Sequence, residues 1–360
     1  MAFRFLLSGF DTIECAYWLT KVPSWSPTPL DFGHLTVEKE ILRASKSKQP
    51  TVLRLGTEEF LLASHGTGSG YPFLLQNDAF AIQCGEFNRP NFFVTYRSEA
   101  LWHQGALNLN KRFLAWAQSV AMLPDRDERL SRVDFTFDYW INSIDFDEDH
   151  FVTLADKDNQ HRKHRKVQTF TFGASPTVLR LYNKSDEIQE QSGKTWLYPL
   201  WGGQEDNVWR IEWEIRKEIL RARGIKTFND LNDGQGDVLR PLVTEHTSLR
   251  IPNEDSNSSR WPIHPLWLDL VERVASLNAL GVVRDCDPQA ALDERMMRCA
   301  IAMYGYLKRV AAIHGLQRNK SDVSKDDALY RLGWLMDRLH DPLTWESDVQ
   351  RRMNEMRLGM

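Results

Sequence analysis

Hydrophobic and polar residues alternate in eight short stretches of the first two thirds of the chain. Side chains of an extended strand point alternately to opposite faces, so a period of two predicts strands that bury one face. Strand clusters separated by helical segments indicate an α+β fold with helices packed on one face of a largely antiparallel sheet. Two ferredoxin-like units in tandem would also fit this order. The predicted strands cover residues 12–18, 51–55, 80–84, 92–96, 132–138, 167–172, 178–184 and 209–216.

Apolar residues at helical spacing lie between these strands and dominate the last third of the chain. The clearest early helices are predicted over residues 35–45 and 100–122, the second ending before Pro124, which cannot continue a helix. The late helical stretches cover residues 265–280, 289–315 and 325–339.

These patterns predict two domains. An α+β domain occupies residues 1–230, and a helical C-terminal domain occupies residues 261–360. Residues 231–260 are rich in Asn, Asp, Gly and Ser, a composition typical of a connector.

The composition is that of a soluble globular protein, with 360 residues, of which 42% are apolar and 13 are Trp. No apolar run approaches the roughly 18–20 residues that a membrane span needs. The apolar stretch near the N-terminus is short and is followed at once by Asp11 and Glu14, unlike an export signal. The four cysteines are far apart and lack metal-ligand spacing, which fits a reducing compartment. We therefore expect a cytoplasmic protein without a membrane partner.

The net charge of −4 means that the protein as a whole would repel nucleic acid, so any DNA contact must be local. The best local candidate is the basic run at residues 157–166, which could neutralise several phosphates. A solvated loop is the alternative interpretation of this run.

Three predicted strands place charged residues on the face opposite their apolar residues. In isolation, each strand is also compatible with an ordinary solvated sheet whose charges form cross-strand ion pairs. Together they would gather carboxylates, arginines, a lysine and a tyrosine on one sheet face. The polar positions are Arg132, Asp134, Thr136 and Asp138 in the first strand, Arg180, Tyr182 and Lys184 in the second, and Arg210, Glu212, Glu214 and Arg216 in the third.

This combination suits metal-assisted phosphoryl transfer with a covalent intermediate. Carboxylates hold a divalent cation against the scissile phosphate, and guanidinium and ammonium groups stabilise the charge that builds up in the transition state. A phenol can then act as the nucleophile. Because oxygen ligands are hard, the predicted metal is Mg²⁺ or Mn²⁺ rather than zinc.

Three sequence blocks resemble the signature blocks of the replication initiation factor family, which comprises rolling-circle plasmid initiators and related relaxases of conjugative elements and some phages. The blocks are SRVDFTFD at 131–138, TFGASPTVLRLYNKSDE at 171–187 and WRIEWEIR at 209–216. Their order and spacing agree with the family, and the middle block is the most specific. The resemblance covers roughly residues 80–230 and leaves the helical C-terminal third unmatched.

The resemblance implies a site-specific nick at a DNA origin, a 5′-phosphotyrosine intermediate and a free 3′-hydroxyl that starts replication or transfer of a mobile element. It makes Tyr182 the candidate nucleophile, a role that positive neighbours would favour by lowering the pKa of its phenol. The predicted catalytic residues are Tyr182, Arg180, Lys184 and Arg210; the predicted metal ligands are Asp134, Asp138, Glu212 and Glu214; the predicted DNA-binding residues are Arg132, Arg162, Lys163, Arg165, Lys166 and Arg216.

Two functions from other classes stay open at this point. One is a metal-dependent nuclease that activates water with the same carboxylates, and the other is a non-catalytic factor that binds an origin. The predicted partner is single-stranded or hairpin DNA, with a helicase and a second copy of the chain as further candidates.

Overall fold

The computed structural model describes residues 2–22, 29–45, 51–163, 166–279, 288–320 and 322–357. The chain forms two compact units, Met1–Arg284 and Asp285–Met360. This division lies later than the sequence suggested, because a helix at Phe228–Pro241 crosses residue 230 and buries Leu231, Val238 and Leu239 in the core of the first unit. Residues 231–260 therefore contribute to that core. Within the described residues, no helix is long and apolar enough to cross a membrane.

Fifteen strands are formed by the described residues. They are β1 Phe3–Tyr17, β2 Leu19–Lys21, β3 Thr51–Leu55, β4 Glu58–Leu62, β5 Phe73–Gln76, β6 Phe80–Cys84, β7 Phe92–Tyr96, β8 Met122–Pro124, β9 Arg129–Ile141, β10 Phe151–Thr153, β11 Asp158–Lys163, β12 Lys166–Ala174, β13 Thr177–Asn183, β14 Val208–Arg216 and β15 Thr247–Leu249.

The same part of the chain contains eleven α-helices. They are α1 Phe32–Ala44, α2 Ser98–Gln104, α3 Ala106–Ser119, α4 Lys184–Glu187, α5 Leu197–Leu200, α6 Lys217–Ala222, α7 Phe228–Pro241, α8 Pro265–Ala275, α9 Pro288–Arg318, α10 Lys325–Leu339 and α11 Trp345–Arg357. Short 3₁₀ turns lie at Glu148–His150 and Ser258–Arg260, and π turns at Ile188–Ser192 and Leu242–His246.

Eleven strands of the first unit form one sheet in the order β11-β12-β13-β14-β9-β1-β7-β6-β5-β4-β3. Every neighbouring pair in this sheet is antiparallel, as predicted. The long central strands β1 and β9 pair with each other, so the two halves of the unit share one continuous sheet.

One face of this sheet carries the hydrophobic core. Val133, Phe135 and Phe137 of β9 are buried there, beside Ile211 and Trp213 of β14. The long helices α1, α3, α7 and α8 add buried apolar side chains to the same cluster. The predicted α+β architecture with helices packed on one face of an antiparallel sheet is thus confirmed.

Two early elements differ from their predicted bounds. The strand expected at residues 12–18 begins at Phe3 and is the longest strand among the described residues. The helix expected at 100–122 is split into α2 and α3 by Gly105, whose φ of 79° favours glycine and interrupts helical geometry. The spacing of apolar residues did not reveal this break because it continues across Gly105.

The second unit is helical, as the sequence predicted. Helix α10 has the predicted bounds, and α9 begins one residue before and ends three residues after its predicted range. Helix α11 was not predicted.

Candidate active site

The three strands that carry the sequence blocks lie side by side in the order β13-β14-β9. The register places Tyr182 opposite Arg210, and Arg210 opposite Asp138. In the next polar row, Arg180 lies opposite Glu212. Directly opposed residues point to the same face of a sheet, so the structure gathers these predicted residues on one surface.

Much of this polar face is buried rather than solvated, in contrast to the alternation of an exposed sheet. Asp138 and Arg210 are both 0% exposed, and Asp134 is 3% exposed. Burial comes from aromatic side chains on the polar side. Trp201, directly after α5, contacts Asp138, and Trp102 of α2 lies over Gly9, which pairs with Thr136. Charges in such a setting require partners, because an unpaired buried charge is costly.

Arg210 and Asp138 form a buried ion pair with two short hydrogen bonds. Arg210 Nε and Nη2 donate to Asp138 over 2.7 and 2.8 Å, and Arg210 Nη1 donates to Asp11 over 2.6 Å. The indole of Trp201 donates to Asp138 over 2.9 Å. These contacts engage both carboxylate oxygens of Asp138 and all three nitrogens of the Arg210 guanidinium. We therefore assign this pair to holding β14, β9 and β1 together, and not to contact with a substrate or a metal.

Asp11 is a component of this network that the sequence analysis did not find. It lies where the β1–β9 register shifts between Phe10 and Thr12, a bulge that interrupts the alternation of the strand. Burial alone would raise the pKa of Asp11. The positive charges of Arg210 and Lys194 outweigh burial and hold the pKa of Asp11 below its usual value. No motif in the sequence marks this residue.

Tyr182 is half-buried and its hydroxyl donates to Glu212 Oε2 over 2.9 Å. Burial and the Glu212 carboxylate raise the pKa of the Tyr182 phenol well above its usual value of 10, and Arg210 offsets only part of this. The expectation that neighbouring cations would favour phenolate is therefore wrong. The strand places a carboxylate, rather than a cation, at the hydroxyl, so Glu212 is available as a proton acceptor.

Lys184 does not project from the strand as predicted, because β13 ends at Asn183 and Lys184 begins α4. The Asn183 side chain caps this helix by accepting from the Asp186 amide. The Lys184 ammonium donates to Glu187 over 2.6 Å and lies 5.5 Å from the centre of the Tyr182 ring. It therefore contacts the ring rather than the hydroxyl of the tyrosine.

Arginines and carboxylates alternate along the rest of the polar face. Arg180 donates to Glu214 over 3.0 Å and weakly to Glu212 over 3.4 Å, while Arg132 forms a two-point pair with Asp134 at 2.6 and 2.8 Å. Arg216 donates to Glu214 from outside this row.

The pKa values of Asp134 and Glu214 are shifted in opposite directions. Burial raises the pKa of Asp134 to about 7, although Arg132 lowers it, and Glu212 and Glu214 add to the rise. Burial also acts on Glu214, but its arginine partners outweigh it and hold its pKa below the usual value. The neighbouring arginines therefore outweigh the effect of burial at Glu214, whereas Arg132 does not outweigh it at Asp134.

Tyr182 borders an open cavity of about 500 Å³ on this face. Its fixed cations are Arg132, Lys163 and Arg180, and its side wall is formed by α4 and the turn that follows it. Five carboxylates line it, those of Asp186, Glu187, Glu190, Glu212 and Glu214. Lys184 and Arg216, which lie outside the lining, pair with Glu187 and Glu214, so five cationic side chains balance the five carboxylates.

The predicted metal ligands are distributed unevenly around this cavity. Glu212 and Glu214 line it, whereas Asp134 and Asp138 do not. Across the part of the chain that is described, no three His, Cys, Asp or Glu side chains are grouped to hold a metal by themselves. Magnesium is usually bound by one or two carboxylates together with substrate phosphates and water. The residues therefore fit a cation shared with a bound phosphate rather than a site built from protein ligands alone.

The basic run, for which a solvated loop was the alternative interpretation, includes the edge strand β11 and the start of β12. Lys163 and His161 line the cavity, and Lys163 pairs with Glu190. Arg162 lies outside the cavity and pairs with Asp147 over 3.0 Å. Arg165 lies outside the described residues, and the backbone of Lys166 begins β12. The edge of the sheet thus brings part of the predicted DNA-binding run next to Tyr182.

Comparison with known proteins adds one structural likeness. No family model matches the sequence, and no curated protein matches it. A solved structure titled "Structure of Rolling Circle Replication Initiator Protein from Geobacillus stearothermophilus" aligns with 79% of this chain and 100% of its own chain, at 16% identity and a TM-score of 0.45.

Proposed function

We propose that this protein nicks and rejoins DNA, with Tyr182 as the nucleophile. The observation that carries the proposal is the 2.9 Å hydrogen bond from the Tyr182 hydroxyl to Glu212 at the edge of a cavity that also contains Arg132, Lys163 and Arg180. A phenol beside a proton acceptor and near guanidinium groups has what attack on a phosphodiester requires. The three sequence blocks, which resemble those of replication initiation factors, support the same chemistry.

In the proposed reaction, the Tyr182 oxygen forms a bond to the scissile phosphorus while the bond from phosphorus to the 3′ oxygen breaks. The phenol proton passes to Glu212 and is then available to the departing 3′ oxygen, which leaves as a hydroxyl. The product is a 5′-phosphotyrosine. Because one phosphodiester replaces another, the reverse reaction reseals the strand without a nucleotide cofactor.

The surrounding residues have separable roles in this proposal. Because the pKa of Tyr182 is raised, little phenolate forms spontaneously, and Glu212 is needed as a general base. Arg180 lines the cavity and is 33% exposed at its side chain, so it can turn from the carboxylates to a phosphate oxygen. Lys163 and the rest of the β11 edge would bind the backbone of the DNA strand.

A divalent cation, Mg²⁺ or Mn²⁺, would supply further neutralisation of the phosphate charge when bound. Glu214 is the residue best placed to hold it without competing with the Tyr182 contact, since Glu214 lines the cavity and does not accept from the phenol. Asp134 does not line the cavity, and both its oxygens accept from Arg132.

The proposed biological role is initiation of rolling-circle replication or transfer of a mobile element, in the cytoplasm, on single-stranded or hairpin DNA. This role rests on the sequence blocks. Two other functions use the same surface: a nuclease that activates water, and an origin-binding factor without catalysis.

The test is to incubate the protein with single-stranded oligonucleotides that tile the DNA around its own gene, in the presence of Mn²⁺. A covalent adduct should appear on a denaturing gel. Trypsin cleaves after Arg180 and Lys184, so the nucleotide should map to the four-residue peptide from Leu181 to Lys184. Tyr182→Phe should abolish the adduct, and Tyr198→Phe, a change of the same kind in α5, should leave it intact.

The outcomes separate the alternatives. Continued cutting by Tyr182→Phe would identify a nuclease that uses water. Specific binding by the wild type without cutting at any of the tiled sites, in Mn²⁺ and in a repeat with Mg²⁺, would identify a non-catalytic factor. An adduct on Tyr139, Tyr198 or Tyr304 would move the nucleophile elsewhere.

A further inference from the structure

The turn that follows α4 places Glu190 at the open cavity of the candidate active site. Residues Ile188–Ser192 form a wide π turn, which ends at Gly193 with a φ of 63°. Ile188 is 1% exposed and packs in a small apolar cluster that is separate from the main core. Two residues further on, Glu190 lines the cavity. The carboxylate of Glu190 is therefore presented by a turn that apolar packing anchors.

Glu190 forms an ion pair with Lys163, the last residue of the edge strand β11. Strand β11 pairs with β12, and β12 pairs with β13, so the edge strand lies two strand spacings, or roughly 10 Å, from the strand of Tyr182. Both partners of the ion pair line the cavity. The contact therefore links two walls of the cavity, the edge of the sheet and the turn after α4.

This ion pair is more exposed than those of the arginines in the cavity. The side chains of Lys163 and Glu190 are 43% and 45% exposed. Arg132 and Arg180 instead donate to carboxylates that are at most 11% exposed. An exposed ion pair contributes little to stability, whereas leaving a buried carboxylate without a partner is costly. Among the described cations that line the cavity, Lys163 is therefore the one that an incoming anion can take over most readily.

We propose that Glu190 is an autoinhibitory residue, whose carboxylate occupies Lys163 in the free protein and is displaced by a phosphate of the bound DNA strand. A carboxylate and a phosphodiester both accept hydrogen bonds through anionic oxygens, so they compete for the same ammonium group. Binding has to break the ion pair, which lowers the affinity for any strand, because phosphate contacts carry no sequence information. This inference rests on the proposed function, since it requires DNA as the ligand of the cavity.

The test measures binding of a fluorescein-labelled single-stranded oligonucleotide to the full-length chain by fluorescence anisotropy, in EDTA and at about 0.15 M salt. Glu190→Gln removes the charge and keeps the size of the side chain, so the affinity should rise about two- to fivefold, the range that exposed ion pairs provide. Two oligonucleotides of unrelated sequence should gain equally. Glu40→Gln removes the same charge from an exposed position of α1, outside the cavity lining, and should leave the affinity unchanged.

A double-mutant cycle with Lys163→Ala separates a direct contact from general repulsion of DNA by Glu190. If Glu190 acts by occupying Lys163, Glu190→Gln should cause no further change in affinity when Lys163 is already Ala. An equal gain in both backgrounds would show that Glu190 repels DNA without occupying Lys163, and would overturn the proposal.

A carbodiimide cross-link detects the contact itself. The reagent joins a carboxylate to an amine where the two touch, so mass spectrometry should find an amide between Glu190 and Lys163 in the free protein. The bound oligonucleotide should suppress this product, and a missing or unsuppressed cross-link would contradict the proposal. Oligonucleotide binding that Glu190→Gln does not change would refute this inference alone, whereas a lack of binding by the wild type and every variant would refute the proposed function as well.

Discussion

Replacement of Asp138 by Ala should destabilise the folded protein by about 3–5 kcal/mol, the usual cost of removing one partner from a buried ion pair. Asp138 and Arg210 are both fully buried, so the guanidinium would remain in the protein interior without its main counter-charge. Such a loss is a large part of the stability of an ordinary domain.

The contacts in the structure set the size of this effect. The Ala variant loses the two hydrogen bonds of 2.7 and 2.8 Å from Arg210 and leaves the Trp201 indole without its acceptor. Arg210 keeps one hydrogen bond of 2.6 Å, to Asp11. The remaining partner places the expected loss in the lower half of the range.

Urea denaturation followed by tryptophan fluorescence would measure this loss. Asp134→Ala is the matched control, because it lies on the same face of the same strand but pairs with Arg132, which is 23% exposed and can reach solvent. We expect that control to cost about 1 kcal/mol or less. In addition, Arg210→Met in the Asp138→Ala background should recover part of the stability, because it removes the orphaned charge.

The reasoning would be refuted if Asp138→Ala lost less than about 1 kcal/mol, the range of an exposed ion pair. Loss of DNA cleavage at unchanged stability would instead return Asp138 to the role of metal ligand that the sequence predicted.

Four further predictions concern the site and the first unit. Glu212→Gln keeps the shape of the side chain but removes the base, so the rate of adduct formation should fall by about 100- to 10,000-fold with little change in oligonucleotide affinity; a rate within tenfold of the wild type would exclude Glu212 as the base. Because the pKa of Asp134 rises from 3.8 in the unfolded chain to about 7 on folding, the folded state binds an extra proton between these values. Stability measured in EDTA should therefore decrease as the pH rises from about 4 to 7, and Asp134→Asn should flatten this slope. A chain that ends at Arg284 should fold and one that ends at Asp230 should not, since the cut at 230 divides α7; a cooperative unfolding transition in the shorter chain would contradict the packing described above. Lys163→Ala should lower the salt dependence of single-strand binding by about 0.7 in log–log slope, as expected for one lost phosphate contact, and an unchanged slope would exclude that contact.

The periodicity of the sequence was enough to predict the main strands and the polar face of the site. In β9, β13 and β14, alternate apolar residues must face the core, so the neighbouring charged residues have to share the other face. This constraint is local, because the period of two belongs to the extended backbone itself. The helices of the second unit are likewise visible in the spacing of their apolar residues.

The tertiary structure alone decided which of those polar residues can act. Arg210 and Arg180 lie on the same face of neighbouring strands. Arg210 is buried between Asp138 and Asp11, whereas Arg180 borders the cavity. Tyr182 meets a carboxylate because of the β13–β14 register, which no single strand encodes.

Burial and the pairing of distant segments are the physical reasons for this difference. Asp11 is 199 residues away from Arg210 in the sequence and 2.6 Å away in space, and a bulge in β1 sets its direction. Trp201 directly follows the four-residue helix α5, which is too short to show a periodicity, and its indole covers Asp138. Alternation specifies the face on which a side chain lies, but the electrostatic environment on that face depends on what the rest of the chain places over it.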